Sequence, residues 1–167
     1  MKRLSAALLG LLAFAWAIDG FQAGDWIQFA PPGGGFSVMM PAKPQEEVTP
    51  REDFTSHFFR VTTPNVFYEA GYVDYAPSFR LDAAQELEAN RDSFLKTINA
   101  KLIDSKKITL DGRSGIEFTA DGNQASIKSR IYLFGSRMFQ ITVASGKGRD
   151  ESDNVNRFLA SFAFTKP

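Results

Sequence analysis

Hydrophobic and polar positions along this chain change rhythm several times. Leu4 to Ala15 is a nearly unbroken apolar run. From Trp26 onward the pattern turns to short stretches rich in aromatic and β-branched residues, separated by proline and glycine, which is the mark of strands and turns. Trp26 to Phe29 and Phe36 to Met40 flank Pro31-Pro32-Gly33-Gly34-Gly35 and predict a β-hairpin or a bent strand pair. Pro41, Pro44 and Pro50 punctuate the polar stretch that follows, so Glu46 to Thr49 is only a strand candidate, because proline cannot donate to a central ladder. Phe54 to Thr63 and Val66 to Tyr75, split by Pro64-Asn65, predict a second hairpin.

Between Ala83 and Ala100 the period becomes helical. Leu87, Arg91, Phe94, Leu95, Ile98 and Leu102 recur on one stripe, with Glu86, Glu88, Asn90 and Lys96 opposite, and Asp82 followed by Gln85 resembles a capping box. A single apolar stripe predicts a helix lying on one face of a sheet. Period two then returns. Lys106 to Leu110, Gly115 to Ala120 and Asn123 to Phe134 are joined by Asp111-Gly112 and Asp121-Gly122, residue pairs that supply the positive φ angles of tight hairpins. Read as a two-residue loop, Asp121-Gly122 pairs Phe118 with Ala125 and Ile116 with Ile127. Ile116, Phe118, Ala125, Ile127, Ile131 and Leu133 then share one face, with Glu117, Lys128 and Arg130 on the other. At Gly135-Ser136-Arg137 a three-residue loop would bring Phe139, Ile141 and Val143 onto the Ile131 face, and a two-residue loop would place them opposite; the three-residue loop is the expectation. After Ser145-Gly146-Lys147-Gly148, Asp150 is the expected cap of a short helix carrying Val155, Phe158, Leu159 and Phe162, and the chain closes on Phe162-Ala163-Phe164.

The start changes the picture of where the protein acts. Lys2 and Arg3, the apolar run and Ala15-Trp16-Ala17 form the three parts of a secretory signal peptide. The run is shorter than the roughly 20 residues a bilayer span needs, and Asp19 and Asp25 follow at once. Cleavage after Ala17 is expected, leaving one exported domain, residues 18–167, with no membrane span and a periplasmic or extracellular location. The 167 residues carry 19 basic and 19 acidic side chains, so no global positive charge favours nucleic acid. Cysteine is absent and histidine occurs once, which excludes disulfide scaffolds, thiolate nucleophiles and zinc fingers. No cofactor is expected.

Candidate chemistry is correspondingly thin. His57, in Ser56-His57-Phe58-Phe59, is the one imidazole available to a triad or a general base. Gly112-Arg113-Ser114-Gly115 lacks the residue between Ser and Gly that a nucleophile elbow requires, and Gly146-Lys147-Gly148 lacks the upstream glycine of a phosphate loop. Asp121-Gly122-Asn123 lacks the further oxygen ligands of a calcium loop. Glu46 and Glu47 are neighbours on a strand candidate and point different ways, which suits solvated side chains better than paired catalytic carboxylates. Lys128, Arg130 and Glu117 read as an exposed solubilising row. Tyr68 and Tyr72, close to His57 on the second hairpin, offer an apolar body with a polar tip, the kind of side chain that lines protein interfaces. The 16 phenylalanines either fill the core or line a pocket.

Three stretches together, GGFSVMMPAKP (Gly34 to Pro44), SRIYLFGSRMFQITV (Ser129 to Val143) and RFLASF (Arg157 to Phe162), resemble small exported bacterial proteins of the PsbP-like fold. The resemblance implies an α+β domain, an antiparallel β-sheet with helices on both faces in an α/β/α sandwich. Characterised relatives, among them an extrinsic photosystem II subunit, a Ran-binding nuclear transport factor and mycobacterial envelope lipoproteins, use this fold for docking rather than chemistry. The function expected is therefore a noncatalytic exported domain that binds an unidentified protein or envelope component, with His57, Tyr68 and Tyr72 as the partner-binding residues. The alternatives are a carrier of a small apolar ligand in an aromatic-lined pocket and an enzyme using His57.

Overall fold

Alternation of side chains along extended backbone lets one sheet bury two sets of residues, and this chain uses both sides. The computed structural model describes residues 26–77, 82–148 and 151–165. Its elements follow in the order β1 (Ile27–Phe29), β2 (Phe36–Met40), β3 (Gln45–Pro50), β4 (Phe54–Thr62), β5 (Val66–Tyr75), α1 (Ala83–Thr97), β6 (Lys101–Leu110), β7 (Arg113–Asp121), β8 (Ala125–Phe134), β9 (Arg137–Gly146), α2 (Ser152–Ala160) and β10 (Ala163–Phe164). Seven strands form one sheet in the order β3-β4-β5-β9-β8-β7-β6, every neighbouring pair antiparallel. β1, β2 and β10 make a smaller sheet with β2 in the middle. The class is α+β, mostly antiparallel sheet with two helices. The apolar run Leu4 to Ala15, with the expected signal peptide and its cleavage site, lies outside the described residues.

Consecutive residues of the strands enter two different clusters. Phe58, Ile116, Phe118, Ile127, Ile131, Leu133 and Met138 pack with Leu87, Phe94 and Leu95 of α1. Phe59, Tyr68, Tyr132, Phe139, Ile141 and Val143 pack with Phe36, Val38 and Met40 of β2 and with Phe158 and Leu159 of α2. The face expected for Ile116, Phe118, Ala125, Ile127, Ile131 and Leu133 is the one observed, although its register is not. Phe118 pairs with Ser129 and Ile116 with Ile131, because the hairpin closes through Gly122 N–H donating to Ala125 O, a longer loop than two residues. Each partner is displaced by an even number of positions, and an even displacement returns every side chain to the same face.

The next hairpin corrects the sequence reading. Phe134 pairs with Arg137, so Gly135-Ser136 is a two-residue loop, and Phe139, Ile141 and Val143 join Tyr132 in the second cluster instead of lying beside Ile131. Asp111-Gly112 does form the tight turn its composition predicts, with both residues at positive φ (50° and 74°) and Leu110 paired with Arg113. Helix α1 starts as expected, with Asp82 Oδ1 accepting from Gln85 N–H at 3.2 Å. It stops at Thr97, earlier than the apolar spacing suggests, because Asn99 takes a left-handed conformation (φ 51°) and Ala100 N–H closes the end on Leu95 O. Leu102 is thereby moved from the helix stripe to strand β6. Asp150 lies outside the described residues; the N-cap position of α2 is Glu151, whose carboxylate instead accepts from Asn65 and Asn154 side chains.

Candidate functional site

Strand order brings together at one end of the large sheet residues that are far apart in sequence. His57 on β4 pairs directly with Tyr72 on β5, and Asp74 on β5 pairs with Arg137 on β9. The imidazole lies flat on the Tyr72 ring, 4.7 Å between centroids and 13° between planes. Its Nδ1 is 3.1 Å from Glu46 Oε1 on the edge strand β3. On Tyr72 also rests the Arg137 guanidinium, 4.4 Å from the ring centroid. Arg137 donates two hydrogen bonds to the Asp74 carboxylate, at 2.5 and 2.7 Å, a bidentate fork that fixes its plane. Its remaining Nη1 donates to the Gly33 and Gly34 carbonyls at 2.7 and 3.3 Å, so the same side chain ties the glycine loop before β2 to the large sheet. The result is a rigid layer of imidazole, phenol and guanidinium, framed by two carboxylates and half open to solvent.

Of the three residues expected to bind a partner, His57 is a quarter exposed at its side chain, 25%. Tyr72 lies beneath it and is buried, and burial pushes its hydroxyl above the ordinary value against the pull of Arg137. Tyr68 departs from the expectation of an exposed tyrosine. It is 1% exposed, set edge-on against Trp26 at 5.6 Å and Phe158 at 5.2 Å, and burial together with the Glu151 charge pushes its hydroxyl up to about 12. The reason is position: β5 sits inside the sheet between β4 and β9, so both its faces are covered. Arg137, Glu46 and Asp74 complete the cluster and were not marked by any motif. Glu47 points the other way from Glu46, as its strand position requires, and pairs with Arg60, which also holds the buried Glu69 at 2.6 Å.

The charged row on β7 and β8 is not a solubilising surface. Glu117 is only 9% exposed at its side chain and is surrounded by Lys106 at 3.0 Å, Arg130 at 2.7 Å and Lys128 at 4.0 Å. Burial would raise its pKa, but the hydrogen bonds from Arg130 and Lys106 and the neighbouring positive charges hold the carboxyl below its ordinary value. Arg130 also donates to Leu159 O at 2.8 Å and so anchors the end of α2. Next to this group an open groove of about 530 Å³ runs along β7, β8 and β9 to the first turn of α2, with Ile103, Thr119, Lys128, Val143, Glu151 and Val155 among its walls. Its lining includes neither Phe nor Tyr. The aromatic rings stack on one another instead: Tyr132 on Phe162 at 5.8 Å, Phe36 on Phe162 at 5.5 Å and Phe139 against Phe164 at 5.0 Å. Among the described residues no three His, Asp or Glu side chains gather as a metal site would require, and no helix is long and apolar enough to cross a membrane.

No family model matches the chain, and no curated protein does. A solved structure does: the solution structure of cyanobacterial PsbP (CyanoP) from Synechocystis sp. PCC 6803 superimposes with a TM-score of 0.63 over 88% of this chain and 96% of that one, at 12% sequence identity. The fold is PsbP-like. At that identity the likeness carries the path of the chain and none of the side chains discussed above, so the PsbP-like scaffold positions the His57 layer without defining its use.

Proposed function

We propose that this PsbP-like chain is an exported, noncatalytic domain, with helices on both faces of its sheet, that binds a protein or envelope component through the surface around His57. The observation that carries this reading is the His57 layer itself. A quarter-exposed imidazole lies on a buried Tyr72 ring, and Tyr72, Arg137, Asp74 and Glu46 are each fixed by a partner. A rigid aromatic and polar surface of this kind loses little side-chain freedom on docking, which favours binding. Glu46 at Nδ1 and the Tyr72 ring beneath together hold the imidazole in one orientation, as a docking surface requires. Tyr68 serves the interface indirectly, by packing Trp26 and α2 behind it.

The test is capture from an envelope extract by the chain after removal of residues 1–17, with His57→Ala compared against the unaltered protein. Specific capture weakened by about tenfold in a variant of unchanged thermal stability supports the reading, since truncating an interface anchor costs on this scale. Unchanged capture places the interface elsewhere, and a turnover that His57→Ala removes overturns the noncatalytic assignment. N-terminal sequencing of the exported protein is expected to begin at Ile18; a product that keeps Lys2 and Arg3 contradicts export by signal cleavage.

A further inference from the structure

The large sheet ends at β6, a ten-residue strand with β7 on one side and no described strand on the other. Such an edge offers a row of backbone donors and acceptors to another chain. The opposite edge, β3, is six residues long and closes on Pro50, which has no N–H to give. Two independent features single out β6. Its register with β7 shifts between Leu102 and Asp104, so Ile103 is the extra residue of a β-bulge. Bulges at sheet edges redirect a side chain, and here Ile103 becomes part of the groove wall while remaining 63% exposed, the highest value among the large hydrophobic residues described. The second feature is charge. Lys101, Lys106 and Lys107 are exposed along this edge against Asp104 alone, and both carboxylates of β7 already have partners: Glu117 is shared by Lys106, Lys128 and Arg130, and Asp121, opposite Lys101, pairs with Lys147 at 2.8 Å. Lys106 and Lys107, being consecutive, stand on opposite faces of the sheet.

We propose that β6 and the adjoining groove bind an extended acidic segment of a partner protein by strand addition. The segment joins the sheet beyond β6, its backbone pairing with the free edge, its carboxylates lying against Lys106 on one face and Lys107 on the other. An apolar side chain covers Ile103 at the mouth of the groove. Edge pairing supplies affinity that is blind to sequence, and the two lysines together with Ile103 supply the choice. The same lysines oppose approach of a like-charged edge, which disfavours a second copy of β6 as occupant. This inference rests on the reading of the chain as a protein-binding domain but uses a surface separate from His57, so the two stand or fall in different experiments.

Selection from a random seven-residue peptide display library against the folded chain provides the probe. The peptides obtained are expected to carry Asp or Glu at two or more positions beside β-branched residues, and to slow hydrogen exchange of backbone amides within residues 101–110. Their affinity is expected to fall about tenfold or more with Ile103→Ser and with Lys106→Glu/Lys107→Glu, and to be unaltered by His57→Ala. Ile103 is exposed, so its replacement leaves the core intact; Lys107→Glu alone, on the sheet face opposite Glu117, serves where the double variant folds poorly. Peptides without acidic enrichment, or protection outside β6, overturn the proposal. A dimer in sedimentation with β6 amides protected in the absence of peptide overturns it too, by giving the edge to a second copy.

Discussion

Glu117 shows how a single carboxylate can be set by its neighbours rather than by its position in the sequence. Alternation along β7 places it opposite Ile116 and Phe118, and the sequence reads it as one of a solvated row. Lys106 on β6 and Arg130 on β8 flank it on adjacent strands, and α2 closes over the same face through the Arg130 bond to Leu159 O. Its folded pKa lies below its unfolded one, so its contribution is complete above the ordinary carboxylate value of about 4.3 and is lost as pH falls through the lowered value. Glu69 has the opposite sign: burial raises its pKa against the pull of Arg60, and protonation between the ordinary and the raised value favours the folded state. Glu117→Gln is therefore expected to lower the urea midpoint at pH 7, and the gap from the unaltered protein is expected to narrow as pH falls from 7 through the ordinary carboxylate value of about 4.3 and below. A gap that is constant across this range contradicts the assignment.

At the scale of elements, the legible features were those with one buried side or one fixed turn geometry. Asp111-Gly112 announced its hairpin, Asp82 and Gln85 announced the start of α1, and the apolar face of β7 and β8 survived an incorrect loop length because the error was even. Gly135-Ser136 could not be read from pattern alone: Met138-Phe139-Gln140-Ile141-Thr142-Val143 is buried on both faces, so either loop length leaves the hydrophobic pattern satisfied. The same double burial hid the true setting of Tyr68 and Tyr72. Glu46, Asp74 and Arg137 could not be assembled from spacing, since the cluster exists only through the order β3-β4-β5-β9. Gly71 marks how closely two of these strands approach. A Cβ there would fall on the His57 carbonyl and lie 2.9 Å from Phe58 Cα, backbone atoms that cannot turn aside. Gly71→Ala is expected to cost about 3 kcal/mol by chemical denaturation, the upper end of the overpacking range, and to shift the His57 ring resonances as β4 moves away. A loss under about 0.5 kcal/mol, typical of an open surface site, would show that the two strands are not held together as described.

For the molecule as a whole, the large sheet acts as a partition between two aromatic-rich clusters. Phe118 belongs to one and Phe158 to the other, each 0% exposed, and neither belongs to both. Each substitution to Ala is expected to cost about 3–5 kcal/mol, as for any fully buried phenylalanine. Because the two sites share no side-chain partner across the sheet, their costs are expected to add within about 0.5 kcal/mol in the double variant, provided enough stability remains to measure it. A markedly smaller combined loss would mean that the clusters yield together and the partition is not rigid.

The order β1-β2-β10 carries a mechanical consequence. Both outer strands run antiparallel to β2, hence parallel to each other, and β1 comes from the beginning of the described chain while β10 comes from its end. Tension applied between residues 26 and 165 would draw β1 and β10 past β2 in opposite directions along their length. The hydrogen bonds joining them would then be loaded in shear, all at once, instead of opening one after another like a zipper. Behind them Phe36 is stacked with Phe162 at 5.5 Å, so that sliding must also drag one ring across another. A domain stretched between two attachment points in this way would resist extension first at its smallest sheet, leaving the seven-stranded sheet, with both of its proposed docking surfaces, intact while the load is borne.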